Sequence, residues 1–325
     1  MAALRDAIRY PAKRVLLQRT RLAYVHLRNL LTDAKRDRAA RVSGYVAVWM
    51  PEELLVLFLE EGEVVNATSS PDGLAFAAIA ISDAIGRVPA SAEYGSICFH
   101  EATNEQLDLM YASQTGTALP FPRELMSTDA TALLAYLDGL MVEGALEVIA
   151  DGAVNYVSLD AGRPAHGFFV DSRAADPTIH LRQVLEGRLS APPIVRLWPV
   201  PEALPAQASP ALIQSYRELM TSLQARLHSA GKSSATEIIE GARRSLVARH
   251  PLLERFSPAV DRAKDPVTDT AALTKAIGAW LADVLWAAAP DDLTPEALLR
   301  ELTTSRRHVF QAAGLYDALP WKVKW

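Results

Sequence analysis

The chain has 325 residues, half of them hydrophobic and 22% charged, which excludes a largely disordered protein and provides apolar material for two or three cores. Its single cysteine, Cys98, excludes an intrachain disulfide framework and metal sites that need several thiolates. The net charge of −5 hides an asymmetry: residues 1–41 hold eleven Arg and Lys against three Asp, so a basic arm precedes an acidic body.

Residues 12–38 read as one helix. Leu17, Tyr24, Leu27 and Leu31 fall at helical spacing with Thr20 between them. Arg14, Arg21, Arg28 and Lys35 recur every seven residues, a period that drifts only about 20° around a helix. The expected product is a basic stripe beside an apolar arc, able to dock on the body or to lie on an anionic membrane surface.

A pattern then occurs twice. "VSGYVAVWMPEELLVLFLEEGEVVNA" begins at Val42, and "VEGALEVIADGAVNYVSLDAGRPAHG" begins at Val142. Without a gap they share Val42/Val142, Gly44/Gly144, Val48/Val148, Leu59/Leu159 and Gly62/Gly162. In each copy three β-rich runs are separated by short turns, with Gly62 and Gly162 where a tight hairpin requires positive φ. The first copy continues into an apolar helix over 74–86, a strand "GSICFHEA" and a short polar helix "TNEQLDLMYASQ". The second is preceded by a helix capped at Thr128 or Asp129 and continues into "PTIHLRQVLEG" and a last strand in "PIVRLWPVP". Residues 42–120 and 121–200 are expected to form two tandem β-β-β-α-β modules.

Residues 201–211 lie in a proline-rich linker. Beyond it the hydrophobic period becomes helical, and a second pseudo-repeat, offset by about 62, relates Leu219/Leu281, Leu223/Leu285, Val247/Val309, Leu253/Leu315 and Pro258/Pro320. Residues 212–325 are expected to be two helical hairpins packed as a four-helix arrangement. Their tail, "WKVKW", alternates Trp321, Val323 and Trp325 with Lys322 and Lys324, as a short strand or an aromatic anchor would. The expected class is α+β, with the basic helix 1–41 in front.

The first copy resembles the PatA-N-terminal-like family of bacterial domains through Gly44, Gly62, Glu63, Val64, Val65, Ala67 and Gly86; the second keeps Gly144, Gly162 and Gly187. The resemblance covers about residues 42–112, and more weakly 129–200. It implies an interaction or regulatory module and supplies no catalytic residues.

Candidate chemistry is sparse. "SAGKSSA" offers Gly231, Lys232 and Ser233, but a phosphate loop would need glycine where Arg226 stands, and a helix precedes the segment. No two of the seven histidines have the i,i+4 spacing of a helical metal pair; His166 and His180, or His100 with Glu101, could meet only through folding. Cys98, in "SICFH", reads as a small buried hydrophobe. Asp291 and Asp292 read as a helix cap. The acidic body and the lack of aromatics interleaved with the basic residues argue against nucleic acid. The leading segment lacks a secretory pattern, and the apolar runs "GLAFAAIAI" and "IGAWLADVLWAAA" fall short of a membrane span.

These readings converge on a non-catalytic cytoplasmic scaffold or adaptor within a larger protein assembly, without cofactor or metal. Arg14, Arg21, Arg28, Lys35, Trp321, Lys322, Lys324 and Trp325 would be its partner- or membrane-facing residues. One alternative is a peripheral subunit at the inner face of a membrane. The other is a ligand sensor that uses a groove between the two modules.

Overall fold

A computed structural model describes residues 2–36, 41–89, 94–122, 129–171, 176–199, 206–232, 234–256, 265–288, 294–323 and 325. The chain is α+β and divides into two compact units, residues 1–79 with 87–204 and residues 80–86 with 205–325.

The first unit opens with α1 (Ala2–Ala7), β1 (Arg14–Arg21) and α2 (Leu27–Arg36). This corrects the reading of residues 12–38 as one helix. Pro11 lacks an N–H and biases Tyr10 to extended backbone. The following residues, which include β-branched Val15 and Thr20, then find a ladder to join. Eight residues of β1 span six of β6 (Ser96–Glu101) through two irregularities, so a distant pairing overrides a local helical period. The seven-residue stripe of cations is thereby broken between a strand and a helix.

The centre of the first sheet is β2 (Gly44–Trp49), β3 (Leu54–Glu60) and β4 (Glu63–Ser70), with β5 (Ala77–Ala78) at one edge. Every residue of β2 is buried, as expected of a near-continuous apolar run covered on both faces. The strand order is β1-β6-β2-β3-β4-β5. The helix expected over 74–86 shortens to α3 (Ile81–Arg87), which passes through Gly86 instead of stopping there and, up to that residue, belongs to the second unit. Next comes α4 (Asn104–Thr115), capped by Thr103.

After α5 (Ala130–Leu140), the second sheet comprises β7 (Gly144–Ala150), β8 (Ala153–Asp160) and β9 (Arg163–Phe168). Then follow α6 (Pro177–Glu186) and β10 (Ile194–Trp198), giving the order β10-β7-β8-β9. This repeats the order β6-β2-β3-β4 of the first sheet. The registers agree as well: Gly44 faces Leu59, and Gly144 faces Leu159. Three two-residue hairpin turns, Glu61-Gly62, Asp151-Gly152 and Ala161-Gly162, have positive φ at both positions, the requirement of a type I′ turn. The space a Cβ would need at Gly62 is taken by the Ala34 carbonyl of α2, and at Gly162 by the Leu137 carbonyl of α5. Each hairpin tip therefore abuts the helix that precedes its sheet.

The two sheets share one core. Tyr45, Ala47, Trp49 and Cys98 of the first pack with Ala145, Ile149, Tyr156 and Trp198 of the second, together with Leu107 and Met110 of α4. The larger apolar side chains among them, such as Ile149, Leu107 and Met110, each contribute roughly 1.5–3 kcal/mol by burial. The polar composition of α4 is deceptive, because most of the helix is buried and its two glutamines have partners inside the fold. Gln106 Nε2 donates to the Pro11 carbonyl at 2.6 Å, and Thr68 Oγ1 donates to Gln114 Oε1 at 2.5 Å. The other face of the second sheet packs Leu146, Val148 and Val157 against Leu133 and Leu137 of α5 and Leu181 and Leu185 of α6.

Glu147 is a charge inside the shared core. Burial pushes its carboxyl up to about 6, against the pull of the Arg196 guanidinium 3.6 Å away. A carboxyl raised in the fold carries no penalty below its unfolded value near 4.5, because both states are then protonated. The penalty grows as pH rises and is complete above about 6. Denaturant titrations should show the first unit losing about 2 kcal/mol between pH 4.5 and 6.5 through this residue. Glu147→Gln should abolish that component, and an unchanged pH dependence in the variant would contradict the assignment.

The second unit contains α7 (Pro210–Ser229), α8 (Ala235–Leu246), α9 (Thr270–Ala288), α10 (Pro295–Thr303) and α11 (Arg307–Ala312). α7 and α10 start at Pro after the caps Ser209 and Thr294. The segment before α7 is pinned, with the Ala208 N–H donating to the Thr268 carbonyl at 2.8 Å. Leu219, Leu223, Leu253, Leu281, Leu285 and Leu315 are all buried in one core around Trp280, whose Nε1 donates to the Ile239 carbonyl at 2.9 Å. α9 is long and apolar enough to cross a membrane by length and composition, more than its apolar stretch suggests. Most of it is buried among the other helices of this unit. The same core holds an ion pair. Arg217 contacts Asp265 with both side chains almost wholly excluded from solvent, Ser82 Oγ donates to the same carboxylate at 2.6 Å, and the guanidinium lies 5.4 Å from the Phe256 ring centre.

Candidate functional site

The residues singled out by charge and aromaticity do not gather. Arg14 shares Glu101 with Lys13, at 2.8 and 2.7 Å, and the Lys13 bond leads in holding that carboxyl below its usual range. Arg21 ends β1, Arg28 is exposed on α2, and Lys35 pairs with Glu63. In the other unit, Trp321 meets Trp286 edge-on at 5.9 Å. Trp325 packs on Tyr316 at 5.3 Å, with the Arg307 guanidinium 4.2 Å above its ring. The described tail residues form no strand. Lys322 is exposed; Lys324, Ser233, Pro258, Asp291 and Asp292 lie outside the described residues.

A cleft of about 850 Å³ opens in the first unit instead. Its construction starts with a strap, residues 8–13. The Arg9 N–H donates to the Gly152 carbonyl at 2.8 Å, Val154 N–H donates to the Arg9 carbonyl at 2.9 Å, and Lys13 N–H donates to the Glu101 carbonyl at 2.9 Å. The strap thus ties the β7–β8 turn to the edge of the first sheet. Beneath it, period-two alternation puts Tyr45 and Trp49 on the same face of the sheet as Cys98 and His100. Phe169 and Val170 close the far wall. Gly167 is needed there because a Cβ would meet the Phe169 ring at 2.3 Å.

The polar groups of the cleft are mostly engaged with one another or with backbone. Arg9 makes a two-pronged pair with Asp171, at 2.9 and 3.2 Å. Arg19 stacks 4.0 Å over Trp49, donates to Ser96 Oγ at 2.7 Å and to the Asp6 carbonyl at 2.6 Å, and burial lowers its pKa. Asp151 accepts from the backbone N–H and hydroxyl of Ser190. Arg9, Phe169 and Asp171 also line a neighbouring recess of about 320 Å³ that reaches buried His180.

His100 stands apart. Its Nδ1 lies 2.6 Å from the Tyr45 hydroxyl oxygen, which is also 3.2 and 3.0 Å from the carbonyls of Tyr10 and Pro11. Carbonyls only accept, so the single phenolic proton belongs toward them, and Nδ1–H then donates to the phenol. Burial lowers the His100 pKa, which favours the neutral ring. Glu101, its neighbour, points to the opposite face and completes no His–carboxylate pair. Burial pushes the Cys98 thiol up to about 12, which removes it as a nucleophile at neutral pH. Among the described residues no group of three or more His, Cys, Asp or Glu is placed to hold a metal ion.

A comparison with models of known protein families finds no match, and comparisons with curated proteins and with solved structures find none either.

The cleft lies between the two modules, where the sensor alternative placed a groove, but its lining was not legible because it comes from three distant stretches, residues 6–19, the β2/β6 face and residues 151–171. One local signal is present: "YP" at residues 10–11 marks extended backbone just before the segment whose period is helical.

Proposed function

We propose that this protein is a non-catalytic regulatory binding protein whose first unit receives a small molecule in the cleft under the residue 8–13 strap. The supporting observation is the cleft itself: it is of ligand size, with exposed Val15 in its lining, Tyr45, Trp49 and Phe169 behind it, and polar groups that are mostly engaged with one another. Val15 lines the cleft and is 50% exposed, so a large side chain there plugs the volume without entering the core. Screening a diverse compound set by thermal shift should find molecules that stabilise the native chain but not Val15→Trp. A ligand at one hundred times its Kd adds about 2.7 kcal/mol. Equal shifts in both proteins, or none in either, would defeat the reading.

Attachment to a protein partner, as an adaptor does, is the second reading. It is supported by Trp286, which is 71% exposed on α9 and edge-on to Trp321; exposed tryptophans are favoured as anchors at protein interfaces. Membrane attachment through a basic stripe loses its support, since Arg14 and Arg21 lie on a strand, Arg28 and Lys35 on a helix.

A further inference from the structure

The bonding around His100 restricts what the cleft can hold. With Nδ1–H committed to the Tyr45 oxygen, Nε2 keeps its lone pair and is an acceptor on the cleft wall, without a partner among the described residues. The lowered pKa of the ring keeps it from becoming a donor near neutral pH.

The walls select against formal negative charge. An anion would need a cation, and both cations here are occupied: Arg9 by two bonds to Asp171, Arg19 by Ser96, the Asp6 carbonyl and the Trp49 ring. It would also lie near the carboxylates of Asp6 and Asp151, which line the same volume. Detaching Arg9 would leave Asp171 without its partner. Between these polar groups the accessible lining is aliphatic, chiefly Val15 and Val170, with Tyr45, Trp49 and Phe169 buried behind it, which favours an apolar body.

We infer that the cleft takes an uncharged, ring-bearing molecule with an N–H or O–H group that donates to His100 Nε2, such as a heteroaromatic N–H compound or a phenol. This rests on the cleft being a ligand site, as proposed above, and adds the ligand class and the residue that reads it. A site that accepts a ligand's hydrogen bond discriminates against an isostere that lacks the donor, because its own acceptor is then left dry.

Three probes test this by titration followed by NMR: indole, benzofuran (the same shape with oxygen in place of N–H) and indole-3-carboxylate. Saturable binding of indole to the native chain is expected, with benzofuran and the carboxylate each about tenfold weaker. Val15→Trp should abolish all three. His100→Phe should bring indole and benzofuran level; if that variant fails to fold, the indole-to-benzofuran ratio on the native chain decides. Equal affinities for indole and benzofuran there, or a preference for the carboxylate, would overturn the donor inference while leaving the cleft a ligand site. Absence of saturable binding by all three probes, or binding that Val15→Trp leaves intact, would overturn the inference together with the reading on which it rests.

Discussion

Asp265→Ala is expected to destabilise the helical unit by about 3–5 kcal/mol. The substitution leaves Arg217, 4% exposed, without the carboxylate it contacts in the core. The ion pair itself is not worth that much, since withdrawing two charges from water costs nearly what their attraction returns. The loss comes from orphaning one member. The double variant Arg217→Met, Asp265→Leu should therefore recover most of the stability, or exceed it. Denaturant unfolding followed by tryptophan fluorescence suits this test, because Trp280, Trp286, Trp321 and Trp325 all belong to this unit. A loss below about 1 kcal/mol in the single variant would mean that water reaches the guanidinium.

Gly162→Ala should cost about 2–4 kcal/mol. Gly162 has φ near +80°, and a Cβ would stand 2.0 Å from the Leu137 carbonyl oxygen. That oxygen is backbone in α5, so no side chain can swing aside; helix and hairpin must separate. Gly139, two residues further along the same helix, is the internal control. A Cβ there meets nothing within 4 Å, so Gly139→Ala should gain up to about 1 kcal/mol from helix propensity. Similar effects from the two substitutions would refute the contact as the cause. Gly62→Ala should behave like Gly162→Ala, since the corresponding contact is with Ala34 of α2.

Where residues near in sequence decide the structure, it was legible. The Gly62 and Gly162 turns announce themselves because few residues tolerate positive φ at both central positions. "GYVAVW" is too short and too continuously apolar to be anything other than a covered strand. Leu219/Leu281 and Leu223/Leu285 revealed the paired long helices because each sits on the buried stripe of its own helix. Elements decided by distant partners were misread. Leu17, Tyr24 and Leu31 keep a helical period, yet Leu17 lies in a strand because β6 offers unpaired backbone. α4 read as a short polar helix, whereas Gln106 and Gln114 are buried with partners on Pro11 and Thr68. The cleft belongs to this second kind: His100 was noticed, but Tyr45, Tyr10 and Arg19, which set its protonation and its surroundings, come from other stretches of the chain.

The strap also bears on biosynthesis. Arg9 leaves the ribosome far ahead of Asp171, its partner 162 positions downstream. At ordinary elongation rates of about 5–20 residues per second, the nascent opening segment waits on the order of 10–30 s before it can be seated. During that interval the strap and the aromatic face beneath it lack the second sheet as cover. Newly made chains are thus most vulnerable to chaperone capture and to aggregation in the period before the second sheet emerges.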